Sequence, residues 1–450
     1  MIVAAEAISD KMSVQTLYPK SRDIIEGLTK HGINIVSYAC DGTQVERSIQ
    51  DQLASKAKST ISIRIPDPDP EADNDHIICI PMFGPGPGSP VVMVQDSKHA
   101  LKTFRNNLFS GARALVLGNH IPMYSQVRSI AFSDPPGPIY RRDVEKMDRQ
   151  DDNAATRLFS AETLDFVTGA HPTWLGLIVY LFIMGEVVDG YQGRTLSHLE
   201  RIKMVLRCRY FLRLWKRFLH VAGYPEKYCV SREAQDIIEK LIDGLLALIY
   251  TYRDHYKGEY PLLLWLHSTE LCEHIFAECR KLIKDFTHLN FLFMTVRVHV
   301  LVHAAALFSQ GTDPKARAMG YSHSYLDPES TQLRCLAMFP TDDEIEAAAT
   351  EAWEEAIALL DLLGIQHADI VDHRPTARSS VSNPAPDLSN PDESSDEGDE
   401  QTETDAGTLQ YLIDIQRSPG WGAVDEETQS RMHTLTCAAI ALDIGDQEAL

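Results

Sequence analysis

The chain has 450 residues, 42 Lys/Arg against 64 Asp/Glu for a net charge of −22, and 44% hydrophobic residues. Its length suggests two to three domains, and its apolar content is enough for a buried core. No apolar run reaches the ~18–20 residues of a membrane span, and the amino terminus lacks the basic start of a signal peptide. Eight cysteines without a C-x-x-C pair suggest neither a zinc framework nor a disulfide scaffold, so the nucleus or cytoplasm is expected rather than secretion.

The first 118 residues read as α/β. Ile2–Ala5 predicts a short strand, Ser21–Lys30 a helix stopped by Gly32, and Ile33–Cys40 a strong strand that runs out into Asp41-Gly42. A helix is expected over 43–57, strands over Ile61–Ile65, Ile77–Ile80 and Val91–Val94, and a helix from Lys98 to Leu117. Gly84, Gly86 and Gly88 alternate with prolines. A phosphate cradle needs consecutive N–H donors, which the prolines remove, so this loop is a connector.

From about 123 to 310 the periodicity is helical, with helices expected over 150–168, 173–189, 196–222, 231–256, 262–284 and 288–309. A further helix over 342–363 opens with Thr341-Asp342-Asp343-Glu344. Residues 371–407 hold ten acidic residues against Arg374 and Arg378 and few large apolar ones, so they are expected to be a disordered acidic linker. Short helices are expected over 408–416 and 424–443.

Four places could carry chemistry. Asp41 stands where an apolar strand ends, a position that suits a metal ligand or an ordinary Asp-Gly turn. Asp96 follows another apolar strand, and His99, Lys102, Arg105 and Asn106 then share one helix face, either solvated or turned to a phosphate backbone. Glu270 and Glu273 lie at i, i+3 with Arg280 on the same face, either as converging metal ligands or as a solvated ion-pair face. Residues 201–217 hold seven basic side chains and no acidic one. Lys203, Arg207, Arg209, Arg213, Lys216 and Arg217 fall on one half of that helix. A phosphate backbone, a membrane surface or this chain's own acidic residues could meet them.

These motifs stand in a familiar order: a strand ending in Asp41-Gly42, then Asp96-x-x-His99-x-x-Lys102-x-x-Arg105-Asn106, a long helical stretch, and Glu270-x-x-Glu273-x-x-Phe276-x-x-x-Arg280. The order resembles the ribonuclease H-like cores of P-element and hAT-type DNA transposases. Segments 37–43, 147–155, 199–207 and 320–323 resemble a transposase-like family of mushroom-forming fungi, and the likeness covers roughly residues 1–345.

The resemblance implies an α/β plus α fold with six parts. These are a partial ribonuclease H-like mixed sheet (1–118), an all-helical insertion (119–262), helices returning to the core (263–310), a helical extension (311–370), the acidic linker (371–407) and a short helical tail (408–450). It implies Mg²⁺ or Mn²⁺ held by Asp41, Glu273 and the neighbouring Glu270, with Asp96 beside them, because such ions take hard oxygen ligands. It implies DNA as partner through the basic helix and through His99, Lys102 and Arg105. The acidic tail offers a surface for protein partners, and no membrane is expected. The family places a first catalytic Asp on a strand upstream of the Asp41 strand, and no counterpart stands among the 40 residues before Asp41. The expectation is therefore a transposon-derived, DNA-binding relic without catalysis; the alternative is a non-enzymatic interaction or scaffold protein.

Overall fold

The computed structural model describes residues 13–308, apart from 73, 110–112 and 146–147, and residues 333–371. The strand expected at Ile2–Ala5, the acidic linker and the two tail helices lie outside the described residues. The fold is mixed α/β and mostly helical, with two small sheets.

Helix α1 (Val14–Lys30) leads to β1 (Ser37–Cys40), α2 (Gln44–Ser55), β2 (Ser59–Ile65), β3 (His76–Phe83), β4 (Ser89–Pro90) and β5 (Val92–Gln95). β1 pairs with β5 in parallel, Cys40 opposite Gln95. β2, β3 and β4 form a separate antiparallel sheet, and the Gly-rich connector is the turn between β3 and β4. A single mixed sheet was expected; the strands divide instead into a two-stranded and a three-stranded sheet. The chain changes partner after Pro90: the Val91 amide donates to the Pro81 carbonyl of β3 at 3.0 Å and the Val92 amide to the Val36 carbonyl at 2.9 Å.

Helices then dominate. α3 (Ser97–Phe109) is shorter than the expected 98–117. α4 (Tyr124–Ala131) and α5 (Arg142–Glu145) are brief. The helix expected over 150–168 is broken into α6 (Asp152–Leu158) and α7 (Ala161–Ala170), because Ser160 accepts from the Thr163 amide and starts a new helix. α8 (Leu175–Gln192) is long and apolar enough to cross a membrane, contrary to the composition reading, yet 67% of it is buried inside the fold. It packs against α9 (His198–Val221), which opens with a Ser197/Glu200 capping box. α10 (Arg232–Tyr250) runs on into a π-helical turn over Thr251–His255. α11 (Glu270–Leu282) and α12 (His288–Phe308) make a hairpin, and α13 (Asp342–Leu362) lies along α9 before the short α14 (His367–Val371).

One large core joins β5, α3 and α8–α10 to α13, with Trp215, Tyr180 and Phe104 among its fully buried side chains. Buried residues of α11 and α12 form a separate small cluster of Cys279, Phe291, Met294 and Val298.

His198 gives the core a pH dependence. It is 1% exposed, stacks on Phe339 at 4.8 Å, and its Nε2–H donates to the Leu336 carbonyl at 2.9 Å, while Nδ1 has no hydrogen-bond partner. Burial pushes the imidazole down to about 4 from 6.5, and nearby Arg201 adds to the effect. The folded form therefore binds this proton less readily than the unfolded chain. Its stabilisation is complete above pH ~6.5 and is lost as pH falls toward 4, by about 3 kcal/mol at most. Urea titrations from pH 7.5 to 4.5 should show a shallower acid loss for His198→Gln than for the native chain.

Candidate functional site

Parallel pairing of β1 with β5 sets Asp41 and Asp96 side by side, each one residue past the carboxyl end of its strand; the Asp96 amide donates to the Cys40 carbonyl at 2.9 Å. Such ends are where α/β folds place ligand sites. The turn after Asp41 depends on Gly42, whose φ is +99°, and a Cβ there would sit 2.8 Å from the buried Gln95 Oε1.

Asp96 is 4% exposed and uses both carboxylate oxygens. Oδ1 accepts from the amides of Lys98 (2.8 Å) and His99 (3.2 Å), at the start of α3. Oδ2 accepts from the amide (2.9 Å) and the hydroxyl (2.8 Å) of Thr269, at the start of α11. The same Thr269 hydroxyl lies 2.6 Å from Asp41 Oδ1. Thr269 makes no side-chain cap on its own helix. One carboxylate thus caps two helices, and one hydroxyl ties both aspartates to α11.

Glu273 stands one turn further along α11, half-buried. Burial raises its carboxyl pKa; Asp96, Asp152 and Asp41 raise it further, and Lys102 opposes them. Cys272 beside it is raised by burial and then by Asp41 and Glu273. Asp41, Asp96 and Glu273 therefore share one neighbourhood although 176 residues separate Asp96 from Glu273 in the chain (273 − 97). Glu270, expected as a ligand, accepts instead from Lys98 Nζ at 2.6 Å and lies 3.7 Å from His274 Nε2.

Sequence reasoning missed Asp152 and Thr269. Asp152 opens α6 and pairs with Lys102 at 3.0 Å. The signals available were Asp151-Asp152 and Ser268-Thr269 immediately before apolar-periodic runs, which mark helix starts.

The α3 face is neither solvated nor open to phosphate. Lys102 and Arg105 are buried, and Arg105 donates to the carbonyls of Asp151 (3.1 Å) and Asp148. They hold the entry to α6. His99 is half-buried beside them.

The basic side of α9, the expected DNA face, is largely paired within the chain. Lys203 pairs with Glu351, and Arg207 with Glu186 and with Glu355 at 2.7 Å. Arg209 contacts Asp243 at 3.5 Å and His76 at 2.7 Å. Arg213 reaches Asp67 at 2.5 Å and Asp69 at 3.2 Å, and Arg217 reaches Asp69 at 2.9 Å. Lys216 alone of the six is exposed. The rival that seemed open in the sequence, pairing with acids of the same chain, occupies this face, because half-buried cations need close countercharges.

The carboxylates are the right donors for Mg²⁺ or Mn²⁺; Glu270, expected as a ligand, is held by Lys98, and the space between Asp41 and Asp96 is taken by a hydroxyl. A cation bridging Asp41 and Asp96 would need to lie between them at ~2.0–2.1 Å from each oxygen. The Thr269 hydroxyl lies there. Among the described residues no group of three or more His, Cys, Asp or Glu side chains is placed to hold a metal ion. Comparison of the chain with protein-family profiles, with curated proteins and with solved structures gave no match.

Proposed function

We propose that this chain is a transposase-like protein that does not catalyse DNA strand transfer and acts by associating with other macromolecules. The observation that carries this is the Thr269 hydroxyl between Asp41 and Asp96, which makes a structural clasp of a carboxylate cluster. The likeness to the transposases is supported by Asp41, Asp96 and Glu273 gathering at one end of β1 and β5 with a helical stretch between them. Among partners, protein is favoured over DNA, because five of the six cations expected to face phosphate are engaged by the chain's own side chains.

Purified full chain titrated with millimolar Mn²⁺ should give no binding heat that Asp41→Asn removes, and supercoiled DNA with Mg²⁺ or Mn²⁺ should stay intact. Cutting that Glu273→Gln abolishes would overturn the proposal. Any duplex binding should be nearly insensitive to salt: six phosphate contacts would give a log–log slope of roughly −5, and Lys216 alone about −1. A slope near −5, lost on reversing Arg209 and Arg213, would restore the DNA reading.

A further inference from the structure

Helix α12 is apolar all round, a pattern stable in water only when the helix is covered on all sides. One side is covered. Phe291, Met294 and Val298 pack on α11, where the Phe291 and Phe276 ring centres lie 6.2 Å apart. The other side is open: Leu289, Leu292, Phe293, Val296 and Val300 are exposed, Phe293 by 80% and Val296 by 77%. At 3.6 residues per turn the two sets fall on opposite faces of the helix, so α11 stands behind the open face and not on it. Contiguous exposed apolar surface of this kind marks a docking face.

The spacing on the open face selects its partner. Leu289, Phe293, Val296 and Val300 step by four, three and four residues, the rhythm of a two-helix seam. That series of steps reads the same in both directions. A second α12, laid antiparallel about a twofold axis between Met294 and Thr295, therefore sets Leu289 against Val300 of the second copy and Phe293 against its Val296. Each contact puts a larger side chain against a smaller one. An unrelated partner would not require the stripe to be symmetric about its own middle; a twofold pair does.

Charge and area agree with this occupant. Residues 289–302 contain no acid, and Arg297, on the flank of the stripe, is their one Lys or Arg. Two copies therefore meet without a row of like charges between them. Covering the five side chains in both copies removes on the order of 1,000 Å² from water, the size at which a specific protein interface begins. Phe293 and Val296 lie next to the axis, at the centre, where the binding energy of an interface concentrates.

We propose that the open face of α12 is a self-association surface, and that two copies of this chain pair through antiparallel α12 helices. The inference stands on α12 and not on the clasp, so it holds or fails independently of the proposed function.

Sedimentation of the full chain tests it. Across the micromolar range the average mass should rise from that of one chain toward that of two. Phe293→Asp and Val296→Lys, each alone, should weaken association by about a hundredfold, because each puts an unpaired charge at the centre of the interface. Mixed in equal amounts, the two variants should regain association, since the antiparallel register sets the new carboxylate against the new ammonium. Unchanged amide protection of α9 in both variants reports an intact fold. A native chain that stays monomeric throughout that range would overturn the proposal, as would association that both substitutions leave intact. A mixture that regains nothing would contradict the antiparallel register. Slow amide exchange over 289–302 that dilution leaves unchanged would place another part of the same chain on this face. Association only in the presence of anionic phospholipid vesicles would assign the face to a membrane surface, and each of these two results would also sink the idea.

Discussion

Asp96→Ala should lower the free energy of unfolding by about 4 kcal/mol, read as a fall in the urea midpoint at unchanged slope. The carboxylate takes hydrogen bonds from two amides at the start of α3 and from the amide and hydroxyl of Thr269. Alanine strands the three amide donors, while the Thr269 hydroxyl keeps Asp41 as its acceptor, and each stranded donor costs roughly 1–3 kcal/mol before neighbours relax. Loss of a helix cap alone costs about 1 kcal/mol, so a drop of that size would show that α11 finds another anchor. Asp96→Asn, which keeps one acceptor oxygen, should fall between the two. Thr269→Val should cost less than Asp96→Ala, because Asp96 keeps its two α3 amides and the Thr269 amide remains. A Thr269→Val loss as large as that of Asp96→Ala would contradict the account of Asp96 as the shared acceptor.

Arg207→Ala should cost about 3–5 kcal/mol at neutral pH, since breaking a buried pair leaves an uncompensated charge. Arg207 is 8% exposed and joins Glu186 on α8 to Glu355 on α13. Burial raises the Glu186 carboxyl, and the Arg207 guanidinium holds that rise in check. Without the arginine, Glu186 rises further. It then takes up a proton as pH falls and no longer stands as a bare buried charge. The cost of Arg207→Ala should therefore be largest near pH 7.5 and smaller near pH 5. A loss that grows toward acid pH would contradict the sign of this coupling. Arg207→Met keeps an unbranched side chain but loses the guanidinium that lies over the Phe182 ring, and so separates packing from charge.

The helical half of the fold was legible in the sequence because its signals are local. The Ser197/Glu200 and Thr341/Glu344 boxes open α9 and α13 one residue after each capping residue, as capping chemistry requires. Strands β1 and β5 were legible from short apolar runs ending in Asp41 and near Asp96. Their division into two sheets was not, because strand partnership is a long-range choice that no local pattern encodes. The partners of the basic face of α9 were not legible for the same reason. Its cations were plain in the sequence, whereas Asp67, Asp69, Glu186, Asp243, Glu351 and Glu355 are scattered over nearly 300 positions. The clasp was half legible: both aspartates stood out at strand ends, and Thr269 did not, because a threonine before a helix reads as an ordinary cap.

The contact between Asp96 and Thr269 closes a loop of 173 positions, and most of the helical body lies inside it. A contact between such distant residues meets its entropic cost only after the intervening chain has condensed. The α11 amino terminus is therefore seated late, once β1, β5 and the helices from α3 to α10 have met. Interactions made after the folding barrier act on the rate of escape from the native state and hardly on the rate of reaching it. Asp96 acts here as a latch, and its contribution is to the lifetime of the folded chain.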